Sequence, residues 1–302
     1  MTHTLANPAR HCVDLDYDLT TDLVAWIGDL PPLPECASRA LAILDEPSVS
    51  LELLERVIMR DPALTARIVR VANSPVFLRQ REITTLPQAF MMIGLQGLHG
   101  IIAASMLHKM TATKSAIRTT MYNRSLFTAL CAHRISTTLK LGCPGELFVR
   151  GLLHNLGQYV FLSRPSAVAL YERALELIAE TGIELSEAEK RTLGVTHSHI
   201  GALVAKKWGL PATVVRTILH YREEVDFPLD NPFDASLAIV RLSELLCHLA
   251  GIGSPEGHPC DVDEIARLSS GLGLSMSPDE SGTPGFLQAT IEQFKATHDC
   301  FD

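Results

Sequence analysis

Arg150-Gly151-Leu152-Leu153-His154-Asn155-Leu156-Gly157-Gln158-Tyr159-Val160-Phe161 is the stretch whose reading decides the fold. Leu152, Leu153, Leu156 and Val160 recur at helical spacing, which predicts one helix with a buried apolar side. On the same wheel His154 lies opposite that side, near Arg150, Gly151 and Gln158. A polar cluster set on small residues, facing away from the apolar stripe, is suited to lining a pocket. An adjacent His-Asp pair here would predict a metal site assembled from several helices. The chain carries His-Asn instead, and the chemistry turns on that change.

Downstream of this helix the same periodicity predicts helices over residues 166–181, 184–193, 198–208 and 212–221. Gly182 and Gly209-Leu210-Pro211 supply stop signals. Further helices are expected over 235–249, which carries Glu244, over 262–272 and over 286–298. Residues 251–259 and 276–285 read as loops. Upstream, residues 117–139 form one long helix ending at Lys140-Leu141-Gly142-Cys143-Pro144. Residues 111–115 are the best internal boundary.

Nearer the N-terminus, Ser50 is an N-cap for 51–59. Asp61-Pro62 opens the next helix, since proline loses nothing at a first helical position. Leu64, Ile68, Val71 and Ala72 line its buried side, and Asn73-Ser74-Pro75 stops it. Thr85-Leu86-Pro87-Gln88 has the spacing of a capping box. Met91 and Met92 are expected in the core, and Gly94 and Gly97 separate this helix from 98–110. Residues 38–44 and 22–30 read as short helices, with an extended proline stretch, Leu30-Pro31-Pro32-Leu33-Pro34, between them. No alternating strand pattern occurs, so the class is all-α, with helices packed on helices.

The totals agree. The chain has 302 residues, 47% hydrophobic and 20% charged, which suits a globular core and excludes a disordered chain. A formal net charge of -8 argues against general nucleic-acid binding. The seven cysteines contain no C-x-x-C and read as reduced thiols in a cytoplasmic protein. No signal peptide and no membrane span are expected. G-x-S-x-G, P-loop and G-x-G-x-x-G motifs are absent from the sequence.

The order of several short motifs resembles the HDOD family. They are Leu30-Pro-Pro-Leu-Pro34, Asp61-Pro-Ala-Leu-Thr65, Ala72-Asn-Ser-Pro75, Leu86-Pro-Gln-Ala89 and Ile93-Gly94. Gly151-Leu-Leu-His154, His197-x-x-x-Gly201, Trp208-Gly-Leu-Pro211 and Ile218-x-His220 follow in the same order. The resemblance spans roughly residues 25–275. It implies a multi-helix HD-like bundle with an additional N-terminal helical subdomain. The corresponding division is a tail over 1–22, an HDOD domain over 23–275 and a C-terminal loop and helix over 276–302 packed on it. Within the domain, 23–113 forms the N-terminal helical half and 114–275 the HD-like half.

HD-type enzymes hold metal with a His, a His-Asp pair, further His and an Asp, a donor set suited to transition metals. Carried over by resemblance, the first His position falls at Arg124 and the pair at His154-Asn155. The later His positions fall at His197 and His220, with Tyr221 in place of a second His, and the last Asp falls at Glu244. A guanidinium offers no lone pair to a metal, and Asn155 replaces an anionic ligand by a neutral amide. His154, His197, His220 and Glu244 remain as the ligands of a weaker site, so no metal and no cofactor is expected.

Each of these groups also has a plainer role. His154 suits a satisfied pocket histidine and Asn155 a polar pin between helices. His197 suits a helix start, His220 a helix end, and Arg124 an ion pair with Glu244.

The resemblance implies a bacterial signal-transduction module that binds a partner protein, or a small ligand in the remnant pocket, without catalysis. The alternative is a metal-dependent phosphohydrolase or cyclic-dinucleotide phosphodiesterase. A third reading is a nucleotide held without turnover by Arg124, His154 and His197. The proline stretch at 30–34 and the tail after Met276 are the expected partner surfaces.

Overall fold

A computed structural model describes residues 34–77, 82–110, 116–229, 231–253, 261–276 and 285–301. Among the described residues every regular element is a helix. The order is α1 (Glu35–Leu44), α2 (Leu51–Ile58), α3 (Pro62–Ala72), α4 (Leu86–Met110), α5 (Ala116–Thr138), α6 (Pro144–Leu153) and α7 (Leu156–Leu162). Then follow α8 (Pro165–Thr181), α9 (Leu185–Leu193), α10 (His197–Lys207), α11 (Ala212–His220), α12 (Pro232–Leu249), α13 (Val262–Gly271) and α14 (Gly285–Phe301). The expected helix at 22–30, the proline stretch up to residue 33, the join at 111–115 and the loop at 277–284 lie outside the described residues.

Local chemistry starts the helices. The Ser50 hydroxyl accepts from the Leu53 N–H, and Asp61 Oδ1 accepts from the Leu64 N–H ahead of Pro62. Asn231 and Asp261 cap α12 and α13 in the same way. Each satisfies a backbone donor the helix itself leaves open. At the start of α4, Gln88 accepts from the Thr84 N–H, one residue before the threonine that the capping-box spacing indicates. Asn73 does more than stop α3. Its side chain donates to the carbonyls of Val69 and Ile83 and accepts from the Ile83 N–H at 2.7 Å, pinning the chain that leads into α4.

The interior is built around α5, α6 and α12, which pack on one another. The helices α7, α10 and α11 close one side, and α1 to α4 form a layer against α6. Helix α14 lies across α5 and α3. Arg134 of α5 holds it there by donating to the Ala289 carbonyl and the Gln293 side chain.

Two expectations fail here. Met91 is 77% exposed and Met92 only partly buried, whereas Phe90 and Ile93 fill the core. The backbone turns at Gly94 (φ 74°, ψ 163°), so the helical phase of 86–93 differs from that of the segment after it. Leu86–Ser105 is long and apolar enough to span a membrane by length and composition, but most of it is buried within the bundle.

The second correction concerns 150–161, which is not one helix. The helix ends at Leu153, His154 and Asn155 form a turn, and α7 begins at Leu156. Every residue from Arg150 to Leu162 is buried, so neither side faces solvent. Gly157 permits this. A Cβ there would run into the His197 backbone carbonyl, so only glycine lets α7 lie against the start of α10.

Candidate functional site

The turn at His154-Asn155 puts both side chains in the centre of the bundle, wholly buried. His154 Nδ1 lies 2.6 Å from the Gly151 carbonyl, while its Nε2 meets no partner. Burial lowers the His154 pKa to about 4, so the ring is neutral near pH 7. Asn155 Oδ1 accepts from the Ser125 hydroxyl of α5 at 2.8 Å, and that hydroxyl also contacts the Tyr159 hydroxyl. The Asn155 amide nitrogen and both polar atoms of the buried Gln158 have no partner. The ring of Tyr221 stands edge-on to His154, with centroids 5.1 Å apart.

His197, His220, Tyr221 and Glu244 come from three further helices. The cap of α10 is Thr196, whose side chain accepts from the His199 N–H, not His197. His197 is instead wholly buried, with Nδ1 at 2.7 Å from Glu189 and Nε2 at 2.8 Å from the Tyr221 hydroxyl. Arg222 Nε donates to that same hydroxyl at 2.9 Å. Nδ1–H donates to the Glu189 carboxylate, and Nε2 shares one hydrogen bond with the phenol hydroxyl. His220 lies apart, half-buried, with Nδ1 at 2.6 Å from Glu223.

Glu244 has both oxygens occupied. Arg222 reaches one at 2.6 Å and Arg241 the other at 3.0 Å. These guanidiniums outweigh burial and hold the Glu244 carboxyl well below the usual carboxylate range. Arg241 in turn grips Glu264 with two hydrogen bonds, at 2.9 and 2.6 Å. The expected Arg124–Glu244 pair does not form. Arg124 turns its guanidinium to the Gly253 carbonyl at 2.9 and 3.1 Å. Glu189, His197, Tyr221, Arg222, Glu244, Arg241 and Glu264 thus form one continuous network stitching α9 to α13.

Sequence reading missed Glu189, Arg222 and Arg241. Arg241 had a visible signal, since it sits three residues before Glu244 on one helix, where side chains meet. Glu189 had none, because only the packing of α9 on α10 brings it under His197.

The donor set does not fit a metal. Both His197 nitrogens and both Glu244 oxygens are bonded within the protein, and His220 faces another carboxylate. Among the described residues, no three His, Cys, Asp or Glu side chains converge as ligands. Of the four candidate ligands, His154 is the one with a fully buried nitrogen, Nε2, that meets no protein partner.

A family model described as HDOD domain matches residues 30–224. A protein of Treponema pallidum (strain Nichols), described as an uncharacterized protein, is 28% identical over 230 residues. The match covers 74% of this chain but 44% of that protein, so the chain spans less than half of its relative's length. The crystal structure of an HDOD domain protein with unknown function from Geobacter sulfurreducens superposes with a TM-score of 0.68 at 25% identity. That match covers 92% of this chain and 96% of the other. A Shewanella amazonensis SB2B protein, provisionally named a phosphohydrolase, has a TM-score of 0.68 at 20% identity, over 93% and 98% of the two chains. It shares the fold.

Proposed function

The chain belongs to the HDOD domain family, and from that premise we propose that it is a signal-transduction module acting by contact, without catalysis. One observation carries the reading: the Glu244 carboxylate, which the resemblance sets at the last metal-ligand position of HD-type enzymes, is held by Arg222 and Arg241. The neutral Asn155 amide, bonded to Ser125, supports it further. A cation brought to this place would compete with two guanidiniums for one carboxylate. The site instead suits a rigid centre that locks the helices together while the surface meets a partner protein. We place the module in the cytoplasm, and Cys36, Cys131, Cys143 and Cys247, which form no disulfide among the described residues, support that placement. The acting unit we propose is residues 23–275, with the C-terminal helix attached to it.

One observation favours a second reading. His154 Nε2 is buried and unmet, as a ligand awaiting a metal would be. That reading is the metal-dependent phosphohydrolase or cyclic-dinucleotide phosphodiesterase.

The test is purification with manganese and nickel present, then metal quantification and assay of a generic phosphodiester. The expected result is metal far below one ion per chain and no turnover that depends on His154. One ion per chain, with turnover abolished by His154→Ala, would overturn the proposal.

A further inference from the structure

A cleft of about 600 Å³ opens between α4 and the junction of α5 with α6, away from the Glu244 network. Phe77, Met92 and Ile93 give it an apolar wall, and His133, Ser136 and Lys140 of the α5 end face them. Its size and mostly apolar lining suit a small molecule. Phe77 and the His133 ring stand edge to face at 6.0 Å. Burial lowers the His133 pKa to about 4, so this ring adds no charge near neutrality. Among the described residues, Lys140 is the one formally charged side chain on the wall.

Two independent features mark this place. The Ser136 side chain is wholly buried, lines the cleft, and its hydroxyl has no partner. An unmet buried hydroxyl is costly. Lys140 has φ 55°, the one positive φ outside glycine among the described residues. It closes α5 in a Schellman motif, with the Lys140 N–H on the Thr137 carbonyl and the Leu141 N–H on the Ser136 carbonyl.

Helices α10, α12 and α13 close by the same pair of bonds, and each places glycine at the left-handed position: Gly209, Gly251 and Gly273. Glycine adopts that conformation without strain, and lysine does not. The chain therefore departs from its own rule where the side chain is an ammonium beside a cleft. Strain of this kind persists where the side chain is needed.

We propose that this cleft binds a small monocarboxylate with an apolar body. The Lys140 ammonium and the Ser136 hydroxyl hold the carboxylate, and Phe77, Met92 and Ile93 seat the body. A single cation beside a donor without a partner matches one anionic acceptor. The site is separate from the Glu244 network, so it stands whatever that network does.

The test is calorimetric titration of the full chain with octanoate and hydrocinnamate, using octanol as the uncharged control. Both acids are expected to saturate one site, and octanol to bind roughly tenfold more weakly or worse. Lys140→Gly should weaken the acids by roughly tenfold and leave octanol unchanged. The same variant should raise the thermal midpoint, because glycine relieves the left-handed strain. Ser136→Ala should weaken the acids without lowering the midpoint. Absence of saturation by either acid, octanol binding as tightly as octanoate, or acid affinity unchanged in Lys140→Gly would overturn the proposal.

Discussion

Glu244 and Arg222 meet at 2.6 Å inside the bundle, a carboxylate that is wholly buried against a guanidinium that is nearly so. With Arg241 on its other oxygen, Glu244 is the pivot of the network from α9 to α13. Arg222→Met strips one partner from a buried charge and is expected to cost about 3–5 kcal/mol of unfolding free energy. Urea titration at neutral pH reads this. A loss within experimental error would mean the pair carries no stability.

Acid should erase the advantage of Glu244 over glutamine. The folded carboxyl is held well below its ordinary pKa, so its contribution is complete above the unfolded value of about 4.3. It declines as pH falls below that value toward the folded pKa. The gap between the wild-type chain and Glu244→Gln is therefore expected to be constant from about pH 7 to 5 and to shrink below about pH 4. Denaturant midpoints across that range measure it.

His154 predicts a second pH effect in a different window. Its folded pKa is about 4, against 6.5 for the free side chain. Between these values the unfolded chain binds a proton that the folded chain refuses, so stability falls as pH drops from 6.5 toward 4. The group accounts for about 3 kcal/mol of that loss. His154→Gln, which cannot titrate, should flatten the slope of stability against pH there. An unchanged slope would show that other groups set it.

The contact of α7 with α10 predicts a backbone effect. In Gly157→Ala the added methyl meets the His197 carbonyl, and helices must separate to admit it. The expected cost is about 3 kcal/mol or more, because the obstacle is main chain and cannot rotate away. A melting point within a degree or so of wild type would contradict the close packing.

Neighbouring residues before the Gly94 turn should respond oppositely. Met91→Gln, at a site 77% exposed, is expected to change stability by less than about 0.5 kcal/mol. Ile93→Ala, at a site 4% exposed, should cost about 2–5 kcal/mol. Equal effects would mean the register of α4 is wrong.

Ser50, Asp61 and Gly182 were legible because capping is local: the groups that bond lie within a few residues of each other. Gly94 was legible as a break, but not its consequence, since a turn resets which side of the helix is buried. Gly151-Leu-Leu-His154 is one of the motifs whose order points to the family, yet periodicity carried the helix straight through His154-Asn155. The competing influence there is Ser125, from another helix, which draws Asn155 Oδ1 away from any capping role.

The sequence by itself determined the helical class, most of the helix boundaries and the family, because these rest on spacing along one chain. By resemblance it also raised the expectation that Arg124 and Asn155 stand where HD-type enzymes carry metal ligands. Only the tertiary structure decided which charges meet: Glu244 pairs with Arg222 and Arg241 instead of Arg124, and Glu189 lies under His197. Charge pairing across helices depends on interhelical distance and rotation. A difference of a few ångströms in the low-dielectric interior selects one partner over another, and no pattern within a single helix encodes it.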